Sequence, residues 1–165
     1  MDLKNSLQLH ELASEIIDKC RSKKFKISVA ESCTGGLISS IITSIPGSSD
    51  IFECGFITYS NDSKRKFLNV SQNTLNLYGA VSEEVVIEMI NGLKFHTKSE
   101  ILLAISGIAG PGGGSKDKPE GLVWISYVLK NNNIKTAKRK FGPIGRELVR
   151  EKSSIVSLKY LLSLL

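Results

Sequence analysis
Val29-Ala30-Glu31-Ser32-Cys33-Thr34-Gly35-Gly36 is the stretch on which the chain turns. An apolar, strand-like run from Phe25 to Ala30 stops there, and a helical pattern carrying Leu37, Ile38, Ile41 and Ile42 begins. Such a strand-to-helix corner lifts one side chain above the sheet edge and aims free backbone N–H groups at whatever docks there. Ser32 occupies the corner, Thr34 is placed to N-cap the helix, and Gly35 and Gly36 let a ligand approach the backbone. The serine of a nucleophile elbow gains its reactivity from the same geometry, although G-x-S-x-G is absent. From this corner alone Ser32 is either a helix cap or a nucleophile, and the cap is the commoner outcome. Cys33 is a rival nucleophile at the same helix start, whose positive end is expected to lower the thiol's pKa.

Outward from the corner, helices alternate with strands. Leu7, Leu9, Leu12, Ile16, Ile17 and Cys20 form a helical stripe that ends in the basic run Arg21–Lys24. After the Thr34–Ser44 helix, Pro46–Asp50 reads as a turn and Ile51–Tyr59 as extended chain, with Gly55 a bulge or a point of close approach. Asn61-Asp62-Ser63 reads as an N-cap cluster for a short helix carrying Lys64 to Leu68. A stronger helix runs from Ser82 to Leu93, opened by Glu83 and Glu84, whose charges suit the helix dipole. Ile101–Ser106 is a continuous apolar run, the mark of a strand buried on both faces. Gly107–Gly114 is a glycine loop, Gly121–Leu129 another strand, and Ile134–Phe141 its more polar hairpin partner across Asn131–Asn133. A last helix starts at Gly145. The pattern predicts an α/β fold, a three-layer α/β/α sandwich with a mixed sheet, as a single domain over residues 1–165.

The 165 residues suit one domain, and 41% hydrophobic with 23% charged residues is an ordinary globular balance. No apolar stretch is long enough to span a bilayer and no signal peptide opens the chain, so no membrane partner and a cytoplasmic location are expected. Cys20, Cys33 and Cys54 have neither metal-ligand spacing nor an even count, so no metal, cofactor or disulfide is expected, only small buried side chains. His10 and His96 fall in polar helical stretches and are given no role. The net charge of +6 is spread over Lys19–Lys26, Lys64–Lys66 and Lys135–Lys140 without interleaved aromatics. That suits a solvated surface and a small anionic ligand, and no nucleic-acid motif is present.

Three further stretches carry chemical content. Ser106-Gly107-Ile108-Ala109-Gly110-Pro111-Gly112-Gly113-Gly114 follows a buried strand, where a glycine-rich loop can wrap its N–H groups around a phosphate. It is neither a Walker loop nor a dinucleotide fingerprint, and a plain surface loop has the same composition. The Ser106 hydroxyl favours the ligand. Tyr59 and Lys64 straddle a turn into a helix, so a phenol and an amine can face one pocket. Lys64 is a candidate base for Ser32 if burial lowers it from ~10.4 to ~7–8, which takes about 3–5 kcal/mol; otherwise it is a surface lysine in a basic run. Arg146 at a helix start suits an anionic ligand or a developing oxyanion.

Taken together, Ala30–Gly36, Pro46–Ser49, Gly55–Asn61, Gly79–Val85 and Gly107–Gly114 strongly resemble the CinA C-terminal domain family, in the family's order. The resemblance implies a nicotinamide-nucleotide amidohydrolase in its stand-alone form, converting nicotinamide mononucleotide to nicotinic acid mononucleotide and ammonia. It implies Ser32 as nucleophile, Lys64 as base, Tyr59 as a helper in the hydroxyl network and Arg146 as a substrate or oxyanion contact. The substrate, a pyridine mononucleotide, is then expected to touch Cys33, Thr34, Gly35, Gly36, Ser106, Gly107, Gly110 and Gly112, with the amides of Cys33 to Gly35 receiving the oxyanion. Ser106 replaces the family's usual threonine and keeps its hydroxyl. The family further suggests a homo-oligomer. The alternative is a non-catalytic mononucleotide-binding module, or an interaction domain for a competence or repair partner.

Overall fold
Ile27, Ser28, Val29, Ala30 and Glu31 are all fully buried. A strand shielded on both faces needs neighbours on both sides and a layer above and below. In the computed structural model, which describes residues 3–165, this is β1 (Ile27–Glu31). It pairs in parallel with β2 (Phe52–Ile57) and with β3 (Ile101–Gly107). From β3 the sheet continues antiparallel through β4 (Leu122–Leu129) to β5 (Lys135–Lys140), in the order β2-β1-β3-β4-β5. The mixed sheet and the three layers expected from the alternation of patterns are both present.

Helices α1 (Leu3–Lys23), α2 (Leu37–Thr43) and α6 (Arg146–Leu162) cover one face. Their Leu9, Ile16, Ile38, Ile42, Val149 and Leu158 pack in one core with Val29, Leu103 and Ile125. Helices α3 (Asn61–Leu68), α4 (Gln72–Tyr78) and α5 (Glu83–His96) cover the other, where Leu68, Leu75, Val86 and Met89 join Ala30, Leu102, Ala104 and Val128. Strand β5 is mostly exposed and carries Lys135, Lys138, Arg139 and Lys140, charges that discourage pairing at an open sheet edge.

Several boundaries differ from the sequence reading, each for a physical reason. The first strand runs to Glu31, not Ala30, because that carboxylate is satisfied inside the fold. Helix α2 begins at Leu37 rather than Thr34; the Gly35 and Gly36 backbones are left-handed, at φ 60° and 90°, so a tight turn precedes it. Thr34 is not its N-cap. The α3 cap is Ser60, one residue before the expected cluster, in a reciprocal capping box with Ser63. Leu7 of the α1 stripe is exposed, and Cys54 is only half-buried. The β2 bulge falls at Glu53, which has no partner in the β1 register; Gly55 is instead a close-approach point, where a Cβ would lie 2.6 Å from Ser39 Oγ. Helix α4 has no sequence forecast, its Asn73, Thr74 and Asn76 being poor helix formers. It is held by a Ser71 cap and by Glu88 of α5, which accepts from Ser71 N–H at 2.7 Å and Thr74 Oγ1 at 2.6 Å.

Helices α3 and α5 meet at Gly92, where an added Cβ would lie 2.3 Å from the Leu68 carbonyl oxygen and 2.7 Å from its Cα. Backbone cannot swing aside as a side chain can. Gly92→Ala is expected to lower stability by about 1–3 kcal/mol in a urea titration, the range for overpacking, although alanine is the better helix former.

Candidate active site
Because β1, β2 and β3 run parallel, their C-terminal ends share one pole of the sheet. The chain leaves β1 for β2 on one side and meets β3 on the other, the switch point at which open α/β sheets bind ligands. Ser32 follows β1, Thr58 and Tyr59 follow β2, and Ser106 and Gly107 end β3. The start of α3 brings Lys64 and the start of α6 brings Arg146. Between them lies a cavity of about 310 Å³, bounded by Ser32, Cys33, Tyr59, Lys64, Arg146 and the Ser106–Gly113 loop.

The central contact is between Lys64 and Ser32. Lys64 is 1% exposed, and its Nζ lies 3.0 Å from Ser32 Oγ while donating to the Thr58 carbonyl at 2.7 Å. Burial penalises the ammonium and pulls its pKa from 10.5 to about 8; the Cys33 thiol opposes this in smaller part. Arg65 and Lys66, its neighbours in the chain, point into solvent, and burial is the leading cause. The same dryness acts oppositely on Cys33, whose thiol is pushed up to about 12. A thiol held neutral is a poor nucleophile. The pair can therefore transfer a proton from a hydroxyl to an amine near neutral pH, and the neighbouring sulfur cannot compete.

The turn that carries Ser32 is held from two sides. Glu31 accepts from the amides of Gly36 at 3.0 Å, Ile38 at 3.2 Å and Ser39 at 2.8 Å, and from Ser39 Oγ at 2.6 Å. Arg150 of α6 donates twice to the Thr34 carbonyl, at 3.1 Å from Nε and 2.8 Å from Nη2. Sequence reasoning passed over both residues. A carboxylate ending an apolar strand was the available signal for Glu31; Arg150, 116 positions from its partner, had none. Thr34, Gly35 and Gly36, expected to touch the ligand, are absent from the cavity wall and belong to this turn. The Gly35 amide donates to Ser32 O, so of the three amides expected to receive an oxyanion, those of Cys33 and Thr34 alone are without an oxygen acceptor among the described residues.

On the opposite wall, the glycine loop is strapped into place. Arg146 Nη1 donates to the Gly110 carbonyl at 3.0 Å and its Nη2 donates to the Tyr59 hydroxyl. Tyr59, 56% exposed, thus faces the arginine rather than Ser32 or Lys64. Glu120 accepts from the Gly112 amide at 2.5 Å, and Lys118 donates to the Tyr78 carbonyl. One amide of the loop expected to cradle a phosphate therefore already carries a carboxylate. The Ser106 hydroxyl donates to the Ala80 carbonyl at 2.7 Å and pins the α4–α5 connection, whose Ala80 and Val81 also line the cavity.

The model of the CinA C-terminal domain matches residues 9–165. The chain belongs to the CinA C-terminal domain family. It is 47% identical over 152 residues to the nicotinamide-nucleotide amidohydrolase PncC of Enterobacter agglomerans, covering 92% of each protein. To a CinA-like protein of Thermosipho melanesiensis it is 43% identical over 155 residues, spanning 39% of that longer chain. Among solved structures, a competence/damage-inducible protein from Agrobacterium tumefaciens superposes with a TM-score of 0.93 at 40% identity, 95% of each chain being covered. A CinA superfamily protein from Escherichia coli gives 0.91 at 31% identity, covering all of this chain and 94% of its own.

Two tests follow from the buried polar groups of this CinA domain. Lys64 has a lower pKa folded than unfolded, so between pH 8 and 10.5 the unfolded chain binds more protons and stability rises with pH. Below about pH 8 the buried amine is a full burden. Lys64→Met is expected to melt above wild type at pH 7, with the gap closing toward pH 10.5 in a series of thermal melts. In the second test, iodoacetamide applied to folded protein at pH 8 is expected to alkylate Cys54 and spare Cys20 and Cys33, as read by peptide mass spectrometry.

Proposed function
We propose that this protein is a nicotinamide-nucleotide amidohydrolase that releases ammonia from the carboxamide of nicotinamide mononucleotide, with Ser32 as nucleophile and Lys64 as its base. The observation that carries the reading is the 3.0 Å approach of a buried amine, lowered to about 8, to a serine hydroxyl on the wall of a cavity. The amidohydrolase name of the 47% identical relative supports the substrate.

In this mechanism Ser32 Oγ attacks the amide carbon while its proton passes to Lys64 Nζ. The Thr58 carbonyl holds one N–H of the amine, which leaves the nitrogen lone pair for the hydroxyl. The tetrahedral oxyanion is received by the amide of Cys33, the one of the three that lines the cavity, a well-placed donor contributing about 3–4 kcal/mol. Lys64 returns the proton to the departing nitrogen, ammonia leaves, and water cleaves the acyl-enzyme by the same two groups in reverse order. Arg146, fixed by Gly110 and Tyr59, keeps further N–H donors for an anionic part of the substrate. With Gly112 engaged by Glu120, Arg146 is better suited than the glycine loop to the phosphate. The resemblance to the family also leads us to propose a cytoplasmic homo-oligomer.

Ser32→Ala and Lys64→Ala are each expected to lower ammonia release from the mononucleotide by at least about 10³-fold. The base must be neutral, so kcat/KM is expected to rise tenfold per pH unit below about 8 and level off above it. Wild-type turnover by Ser32→Ala overturns the nucleophile. A mononucleotide that raises the melting temperature of wild type yet releases no ammonia marks a binding module instead.

A further inference from the structure
We propose that Glu31 is a positioning residue whose carboxylate anchors the turn into α2 so that the Ser32 hydroxyl is held against Lys64. The proposal rests on the reading of Ser32 as the attacking group.

A serine placed just before a helix ordinarily turns its oxygen onto the first free amides of that helix. This chain follows the rule three times: Ser60 caps α3, Ser71 caps α4 and Ser82 caps α5. Helix α2 is built differently, with its cap position four residues beyond Ser32. Its cap residue, Gly36, has no side chain, and the hydroxyl of Ser32 makes its contact with Lys64. Yet the amides of Gly36, Ile38 and Ser39 are not orphaned, because Glu31 reaches them from the end of β1. Consecutive residues of a strand point to opposite faces. Glu31 accordingly meets α2 on one side of the sheet, and Ser32 meets α3 on the other.

With Glu31 removed, three amides and the Ser39 hydroxyl face a vacated acceptor at the start of a seven-residue helix, too short to hold itself without packing and caps. Loss of that anchor frees the turn that carries Ser32, and a shift of the turn breaks the contact of its hydroxyl with Nζ. A fully buried carboxylate with four donors is also a demanding way merely to start a helix. The arrangement is explained if the serine has other work.

The test compares wild type with Glu31→Gln and Ser39→Ala, the second removing only the 2.6 Å bond from the carboxylate. Four quantities are measured: kcat and KM for nicotinamide mononucleotide, the pH at which kcat/KM levels off, the stoichiometry of nicotinic acid mononucleotide binding, and the rate at which a phosphonofluoridate labels Ser32. For Glu31→Gln, kcat and the labelling rate are expected to fall by about 10²-fold, the loss typical of a reacting group displaced by an ångström. KM, binding stoichiometry and the pH of levelling near 8 are expected to stay, because Lys64 remains buried. Unfolding would instead reduce the stoichiometry. Turnover and labelling within threefold of wild type, even with a lowered melting temperature, overturn the proposal and leave Glu31 a structural cap. If Glu31→Gln does not fold, Ser39→Ala decides: a fall of threefold or more in kcat and labelling at unchanged KM supports the proposal, and no fall overturns it. Wild type that labels at Ser32 but leaves the mononucleotide intact refutes the substrate alone, and labelling then judges Glu31. Wild type that does neither refutes the nucleophile and the positioning role together.

Discussion
An ammonium group in water holds its proton well above neutral pH, and only withdrawal from water, or a neighbouring positive charge, loosens it. Lys64 is withdrawn almost completely, with a single carbonyl and a single hydroxyl beside its nitrogen. No carboxylate is hydrogen-bonded or ion-paired with it among the described residues, which is what lets desolvation prevail. The dry corner that loosens the lysine's proton also tightens that of Cys33 to about 12. One environment thus loosens the amine's proton and tightens the adjacent thiol's, which in the proposed mechanism leaves the serine without a competing thiolate.

The fold supplies that corner through its sheet order. Three parallel strands deliver their ends to one pole, and β1 between them is buried on both faces, so whatever follows β1 begins in a protected place. The rest of the sheet builds the opposite wall. The glycine loop is the link by which β3 turns back into antiparallel β4; Arg146 and Lys118 tie the link to the body of the protein, and Glu120 closes it on itself. It is a preformed wall rather than an open cradle. Its glycines serve the backbone: Gly110, Gly112 and Gly113 all hold positive φ, a conformation other residues rarely adopt.

Polar groups inside this protein divide between those that fix the backbone and those left to face the cavity. Glu31, Arg150 and Ser106 spend their hydrogen bonds on neighbouring amides and carbonyls. Ser32 and Lys64 spend theirs largely on each other. The first group restrains the second, and the geometry of the pair is only as good as that restraint.

Much of this was legible from residue order. Period and turn chemistry gave the alternation of helices and strands, and the uninterrupted apolar run at Ile101–Ser106 announced a strand buried on both faces. The small-residue corner at Ser32 and the glycine loop marked the two walls of the cavity, because both depend on local backbone freedom that residue type reveals. Local signals failed where the partner was distant. Helix α4 exists through Glu88, the Thr34 carbonyl is held by Arg150, and the Tyr59 phenol is turned aside by Arg146.

What the sequence determined alone was therefore the order of elements and the chemical types at their ends, since propensity, periodicity and capping act over a few residues. What the tertiary structure decided was which of those ends meet and which are dry. Lys64 is indistinguishable in sequence from Arg65 and Lys66 as a charge on a short helix. Its distinction comes from the face of α3 that the sheet covers, because burial belongs to the packed layers and not to any one segment.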